Sequence, residues 1–351
     1  MNEQGPIINL EQQETSEPTS SLAAGYYVLG GLLLCLIVLG GVYTLQKASE
    51  RSAEARALLT AKRIAERHAA AAAASSLTQP PVKRNYFDSI DLEAKSAIVF
   101  DIQSGTVLYE KNARDVLPLA SITKVITAYV AESILATDDT ILIDDEVLHA
   151  EGSTGLLSGE YWKYTDLRDH MLVTSSNDAA LAIARAVEYR QSRIVGGDQE
   201  SHFTDLMNAQ VADMGAATMS FSNPSGLDID TMRSGAYGSA WDVAKVLSQI
   251  YLRDPDLAHA TRELEWSGVS ENGISHAATN TNEYVYHFPG IRLSKTGYTD
   301  LAGGNLAIVV DTSFGKPLVI VVLGSTIDGR FTDVEKLIWA TYDRLAYDLP
   351  E

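Results

Sequence analysis

Ala120-Ser121-Ile122-Thr123-Lys124 opens an apolar run that continues Val125-Ile126-Thr127-Ala128-Tyr129-Val130. The run reads as a helix, and on a helix residues three apart share a face, so Ser121 and Lys124 lie side by side. A serine hydroxyl is a weak nucleophile until a neighbouring base takes its proton. A lysine amine is such a base only when its pKa is depressed, and Leu117, Leu119 and Ile122 offer the apolar surroundings that begin to depress it. Ser-x-x-Lys is expected about once by chance in a chain of this length. The pair therefore acquires meaning only from the partners that the rest of the chain supplies.

Upstream, Ala97-Ile98-Val99-Phe100-Asp101-Ile102, a Gln103-Ser104-Gly105 turn and Thr106-Val107-Leu108-Tyr109-Glu110 read as a hairpin. Downstream, helical spacing marks residues 166–174, 178–189 and 201–214. The β signal then returns at Arg292–Lys295, Asn305–Asp311 and Pro317–Gly324, with a turn at 313–316, before a closing helix over 332–346. Strands at both ends and helices between them predict an α+β fold, with the hairpin and the last strands in one antiparallel sheet.

Two further stretches carry chemistry. Thr174-Ser175-Ser176-Asn177-Asp178 sits between two predicted helices, where Ser175 offers a hydroxyl for proton relay and Asn177 an amide that both donates and accepts. Serine and asparagine also cap helices, which is their ordinary use in such a place. Ser294-Lys295-Thr296-Gly297-Tyr298-Thr299, at the end of a predicted strand, offers a cation, a hydroxyl and a glycine that lets backbone approach a ligand.

Ser-x-x-Lys, Ser-x-Asn and Lys-Thr-Gly in this order resemble the signature of the penicillin-recognising serine enzymes, the penicillin-binding proteins and serine β-lactamases. Longer blocks are similar to one branch, the low-molecular-mass D-alanyl-D-alanine carboxypeptidases of the S11 type. They are Glu151-Gly152-Ser153, Ser175 through Ala180, Met207-Asn208, Phe221 through Asp228, Asn280-Thr281-Asn282, and Lys295 through Asp300 leading to Ala302-Gly303. The resemblance covers roughly residues 86–347. It implies a five-stranded antiparallel sheet flanked by helices, with a helical subregion inserted.

The resemblance also implies roles. Ser121 would attack the carbonyl of the penultimate residue in a peptidoglycan stem peptide ending D-Ala-D-Ala, and Lys124 would be its base. Ser175 would relay a proton to the departing D-Ala, while Asn177 would hold Lys124 and the substrate amide. Lys295 would attract the terminal carboxylate and is the more specific reason to expect a neutral Lys124. Thr296 would bond that carboxylate, and the strand through Gly297 and Tyr298 would line the substrate. The backbone N–H groups of Ser121 and Tyr298 would form the oxyanion hole. Arg330, in Asp328-Gly329-Arg330, matches an arginine placed near the substrate carboxylate, its alternative being a surface helix-start arginine. No cofactor or metal is implied, and β-lactams would be covalent inhibitors.

Three alternatives stay open on the sequence. A class A β-lactamase should carry Ser-Asp-Asn and a Glu-x-x-Leu-Asn loop, and this chain has Ser175-Ser176-Asn177 and Glu200-Ser201-His202-Phe203 instead. D,D-endopeptidase activity on crosslinks shares the motifs. A non-catalytic sensor of wall peptides or penicillins is the third.

Ahead of this region, residues 1–24 carry four glutamates and no Lys or Arg. Residues 25–45 carry no charge, with Tyr26, Tyr27 and Tyr43 at the ends. At ~1.5 Å per residue they span about the hydrocarbon core of a bilayer, and aromatic residues mark its interfaces. An uncleaved transmembrane anchor in the lipid bilayer is expected, since the run is too long for a signal peptide and lacks a basic leader. Leu34 before Cys35 lacks the small residue of a lipoprotein cleavage site. Residues 46–85 form an expected Ala/Glu/Arg-rich helical stalk that ends in a linker at Thr78-Gln79-Pro80-Pro81, and 86–351 the catalytic domain. Many members of the branch add a β-rich second domain and a C-terminal amphipathic anchor. Neither is expected between Lys295 and Glu351, so residues 25–45 would anchor the chain.

Residues 47–67 hold six basic and three acidic side chains, a bias that favours a cytoplasmic C-terminal side. The proposed substrate demands the opposite, an extracytoplasmic domain. Composition bounds the remaining choices. A 46% hydrophobic and 8% aromatic content excludes wholesale disorder. A net charge of −19 argues against nucleic acid as a partner, because no cationic surplus neutralises phosphates, and otherwise serves solubility. Cys35 is the only cysteine, and no His-Glu-x-x-His pair is present, so metal chemistry has little support.

Overall fold

The Val- and Ile-rich segments at the two ends of the folded region find each other across the whole chain. In the computed structural model, which describes Lys62 and residues 86–149, 151–152, 154–195, 202–312 and 316–347, β1 (Ser96–Asp101) and β2 (Thr106–Lys111) make the hairpin. The strands β3 (Ile291–Thr299), β4 (Gly303–Asp311) and β5 (Pro317–Ser325) complete an antiparallel sheet of order β3-β4-β5-β1-β2. The pairing of β1 with β5, Ser96 opposite Leu323 through Asp101 opposite Leu318, joins the ends.

The central strands read as continuous apolar runs because both faces of the sheet are covered. With a period of two, Leu306, Ile308, Ile320 and Val322 meet the closing helix (Gly329–Tyr347), whereas Ala307, Val309, Val319 and Val321 face the helical side. Fully burying each such aliphatic side chain is worth about 1.5–3 kcal/mol.

On the helical side, a 3-10 turn at Ala120–Ile122 leads into α1 (Thr123–Glu132). This helix is buried on nearly every side, which is why its sequence is apolar all round. Around it pack α2 (Tyr164–Thr174), α3 (Asn177–Val195), α4 (Phe203–Asp213) and α5 (Ala240–Arg253). Ser239 caps α5 by accepting from the Asp242 N–H at 3.1 Å. On the opposite face lies α6 (Gly329–Tyr347), which starts at Gly329 rather than at 332.

Short strands that the sequence reading passed over knit the connections. Val116–Pro118 pairs with Ala236–Ser239, and Glu265–Val269 with Ser275–Thr279. The Lys-Thr-Gly stretch lies within β3, which continues to Thr299, and not at its end. The expected tail (1–24), the anchor (25–45) and the 313–315 turn lie outside the described residues, as does the stalk (46–85) except for Lys62, which is helical. Among the described residues no helix is long and apolar enough to cross a membrane.

Candidate active site

Ser121 sits in the 3-10 turn at the head of α1, directly after Ala120, whose φ of 48° lies in the left-handed region. A non-glycine residue there is costly, by about 1–3 kcal/mol, and persists only where its surroundings enforce it. The turn is held by the Thr123 hydroxyl, which donates to the Ala120 carbonyl at 2.7 Å.

One helical turn on, the Lys124 side chain is 0% exposed. Its Nζ lies 2.7 Å from Ser121 Oγ, 2.7 Å from Asn177 Oδ1 and 2.9 Å from the Ser225 carbonyl oxygen. Asn177 Nδ2 donates to the Glu151 carbonyl at 2.6 Å, which fixes the amide with its oxygen toward Lys124. Two of the three neighbours can therefore only accept. A neutral amine would satisfy them with its two N–H bonds and keep its lone pair for the Ser121 proton. Burial, and then the charge of Lys295, hold the Lys124 amine well below the ordinary lysine value. Both causes expected from the sequence act here: burial is the larger, and Lys295, the more specific reason to expect a neutral amine, comes second. Removing an ammonium from water is costly at any distance from another charge, and Lys124 is removed entirely.

Ser175 ends α2 in the left-handed conformation, φ 63°, and Asn177 begins α3. Between them the buried Ser176 hydroxyl accepts from the Ala179 N–H at 3.1 Å and from the Thr154 hydroxyl at 2.7 Å. The tight reversal throws Ser175 to one side and Asn177 to the other. Ser175 Oγ accepts from Lys295 Nζ at 2.9 Å, so this loop bridges the two lysines.

β3 forms an edge of the sheet. Its first half is covered by residues 259–262: the Ser294 N–H donates to Thr261 Oγ1 at 3.0 Å, and Arg262 Nε to the Arg292 carbonyl at 2.8 Å. From Lys295 to Thr299 no strand lies beside that edge among the described residues. Gly297 brings the strand against the turn that carries Ser121, where a Cβ would stand 3.1 Å from the Ser121 nitrogen and 3.0 Å from the Leu119 oxygen. Lys295 is 1% exposed, and its amine falls to about 7, through burial first and the Arg330 guanidinium second. Arg330, in the first turn of α6, is 8% exposed and donates to the Gly297 carbonyl at 3.1 Å. It is not a surface arginine. The Tyr298 side chain, by contrast, is 48% exposed.

The structure thus brings Ser121, Lys124, Ser175, Asn177, Lys295, Thr296, Gly297 and Arg330 to one place, with Tyr298 next along the strand. A family model described as D-alanyl-D-alanine carboxypeptidase, peptidase S11, matches residues 80–326. The chain belongs to the S11 peptidases. It is 27% identical over 252 residues, 70% of its length, to a D-alanyl-D-alanine carboxypeptidase of Bacillus subtilis. It spans 61% of that relative and 60% of a second from Escherichia coli.

Solved structures agree on the fold. A D-alanyl-D-alanine carboxypeptidase from Mycobacterium tuberculosis superposes with a TM-score of 0.61 at 28% identity, over 76% of this chain and 95% of that one. Penicillin-binding protein D2 of Listeria monocytogenes, in its ampicillin-bound form, gives 0.61 at 27% identity, over 72% and 99%.

Sequence reasoning missed three features of this S11 site. The Ser225 carbonyl on Lys124 and the Thr281 hydroxyl, which accepts from Thr296 Oγ1 at 2.6 Å, lie within blocks that the family resemblance had marked without roles. The third is the left-handed backbone at Ala120, for which the residue type gives no signal.

Proposed function

We propose that this protein is a membrane-anchored serine D,D-carboxypeptidase that removes the terminal D-Ala from peptidoglycan stem peptides and is acylated by β-lactams. The observation that carries the reading is the placement of a fully buried Lys124 Nζ 2.7 Å from both Ser121 Oγ and Asn177 Oδ1, with Lys295 Nζ 2.9 Å from Ser175 Oγ.

Lys124, as a neutral amine, takes the Ser121 proton while Oγ attacks the penultimate D-Ala carbonyl. The tetrahedral oxyanion is held by the Ser121 and Tyr298 N–H groups; one such donor is typically worth about 10²–10³ in rate. The proton passes from Lys124, by way of Ser175, to the nitrogen of the leaving D-Ala as the C–N bond breaks. Water then attacks the Ser121 ester, giving its proton to Lys124; the C–Oγ bond breaks as Lys124 returns that proton to Oγ, and the shortened peptide leaves, its carboxyl losing the remaining proton to solvent. Lys295, Thr296 and Arg330 hold the terminal carboxylate, and the substrate strand adds to the open half of the β3 edge. A β-lactam presents a strained amide carbonyl near a carboxylate and enters by the same route.

Residues 25–45 supply the anchor. The catalytic domain lies outside the membrane, where the substrate is, because long domains translocate despite flanking basic residues.

Full-length protein incubated with a pentapeptide ending D-Ala-D-Ala should release D-Ala and take up a fluorescent penicillin, and Ser121→Ala should abolish both. Penicillin labelling without D-Ala release would overturn the carboxypeptidase reading. Cleavage of a crosslinked dimer in its place would make the protein an endopeptidase. Protease protection of residues 86–351 in intact cells would overturn the topology.

A further inference from the structure

The S11 site has a floor to which the proposed chemistry assigns no role. It is the segment Asn223-Pro224-Ser225-Gly226-Leu227-Asp228, which follows the short strand Ser220–Phe221. Its turn is closed by Asn223 Oδ1, which accepts from the Gly226 N–H at 2.7 Å, and by Asn223 Nδ2, which donates to the Leu227 carbonyl at 2.8 Å.

Three consecutive parts of this turn touch three different parts of the site. Ser225 gives its carbonyl to Lys124 Nζ at 2.9 Å. Gly226, at φ +78°, lies so close beneath the nucleophile's turn that a Cβ would meet the Ala120 carbonyl oxygen at 2.0 Å. Asp228 reaches β3: Oδ1 accepts from the Thr299 hydroxyl at 3.0 Å, and Oδ2 from the Leu301 N–H at 3.2 Å. Thr299 Oγ1 in turn accepts from the Ala302 N–H at 3.2 Å, so the carboxylate brackets the whole turn between β3 and β4.

Tyr298 is pinned between two fixed neighbours. On one side Gly297 packs against the Ser121 amide. On the other, Thr299 is tied to Asp228. We propose that Asp228 is a positioning residue that, through Thr299 and Leu301, fixes the Tyr298 N–H relative to the Ser121 N–H and keeps both in register with Lys124. Both carboxylate oxygens are engaged by the strand end, so the residue acts through the backbone and not as a proton carrier. An oxyanion hole built from two distant segments needs such a tie, because a displacement of a few tenths of an ångström in one donor is felt in the transition state more than in the bound substrate. The inference rests on the acyl-enzyme reading above.

The test compares full-length wild-type protein with Asp228→Asn, Thr299→Val and the double variant. It measures the acylation rate by a fluorescent penicillin, kcat and KM for D-Ala release, and the melting temperature. Asp228→Asn keeps an acceptor for Thr299 but turns an amide N–H toward the Leu301 N–H. It is expected to slow acylation and lower kcat by about tenfold or more, with KM within about threefold and melting little changed. The double variant should lose less than the product of the two single losses, because both variants release one turn from one carboxylate. Rates within twofold of wild type in folded Asp228→Asn would overturn the proposal, as would losses that multiply in the double variant. Should Asp228→Asn fail to fold, Thr299→Val decides alone, and a wild-type rate in it overturns the proposal. A wild-type protein that neither acylates nor releases D-Ala overturns the acyl-enzyme reading itself, and the positioning role with it.

Discussion

Two lysines face one cleft from regions built on different principles. Lys124 belongs to the helical side: it rides on α1, at the centre of the apolar core, and its neighbours are the fixed acceptors Asn177 Oδ1 and Ser225 O. Lys295 belongs to the sheet: it projects from an edge strand, donates to Ser175 Oγ and to the Thr296 carbonyl, and has Arg330 behind it. Both are fully desolvated, and both lose basicity chiefly for that reason. They differ in what the next partner does. The partners of Lys124 leave it one free direction, toward Ser121 Oγ. Those of Lys295 leave it beside a second cation, where, on the proposed mechanism, an incoming carboxylate would restore its proton. On the proposed mechanism, equal burial thus serves a base in one region and an anion receptor in the other.

The sharpest way to break this contrast is Lys124→Ala. If the lysine is the base, kcat should fall about 10³-fold, with KM changed little, in a steady-state assay of D-Ala release. A comparable rise in KM would return Lys124 to substrate binding. Lys295→Gln should do the reverse, raising KM for a peptide with a free C-terminal carboxylate by about 10–100-fold, the worth of a charge-assisted hydrogen bond. The same variant should discriminate less against a peptide whose C-terminus is amidated.

pH separates the two lysines further. kcat/KM should rise with pH as Lys124 loses its proton and fall above about 7 as Lys295 loses its own. In Lys295→Arg, which keeps its charge, the alkaline fall should move to higher pH. A profile with an unmoved alkaline limb would remove Lys295 as its cause. The smallest effect belongs to Thr281→Val. Loss of the 2.6 Å contact to Thr296 should raise KM about fivefold, the worth of one neutral hydrogen bond, while leaving kcat near wild type.

How far the sequence carried these arguments depends on where each interaction resides. The three short motifs were legible because their chemistry needs particular side chains: a hydroxyl beside an amine, an amide, and a cation beside a glycine. The sheet was legible because Leu306 through Val310 and Leu318 through Leu323 are apolar without interruption, as strands covered on both faces must be. The Ser225 carbonyl was not, since every residue has a carbonyl and only the fold aims this one. Nor was the burial of Arg330, because one arginine at the start of a helix looks like another until α6 is laid against the sheet. The short strand Ala236–Ser239 is four residues long and takes its pairing from a distant neighbour, so its composition says little. By contrast α5 announced itself in Ser239-Ala240-Trp241-Asp242, a capping sequence that could have been read.

The half-covered edge of β3 also bears on how the protein behaves among its own copies. An unpaired strand edge invites any extended chain, and long ones seed aggregation. Here residues 259–262 already occupy one half, and the half left open runs only from Lys295 to Thr299, with the buried Lys295 and Arg330 beside it. That length admits a short peptide but offers a second copy too few rungs for lasting sheet-to-sheet addition. The opening through which the proposed substrate enters is thus kept below the length at which it would become a hazard to solubility.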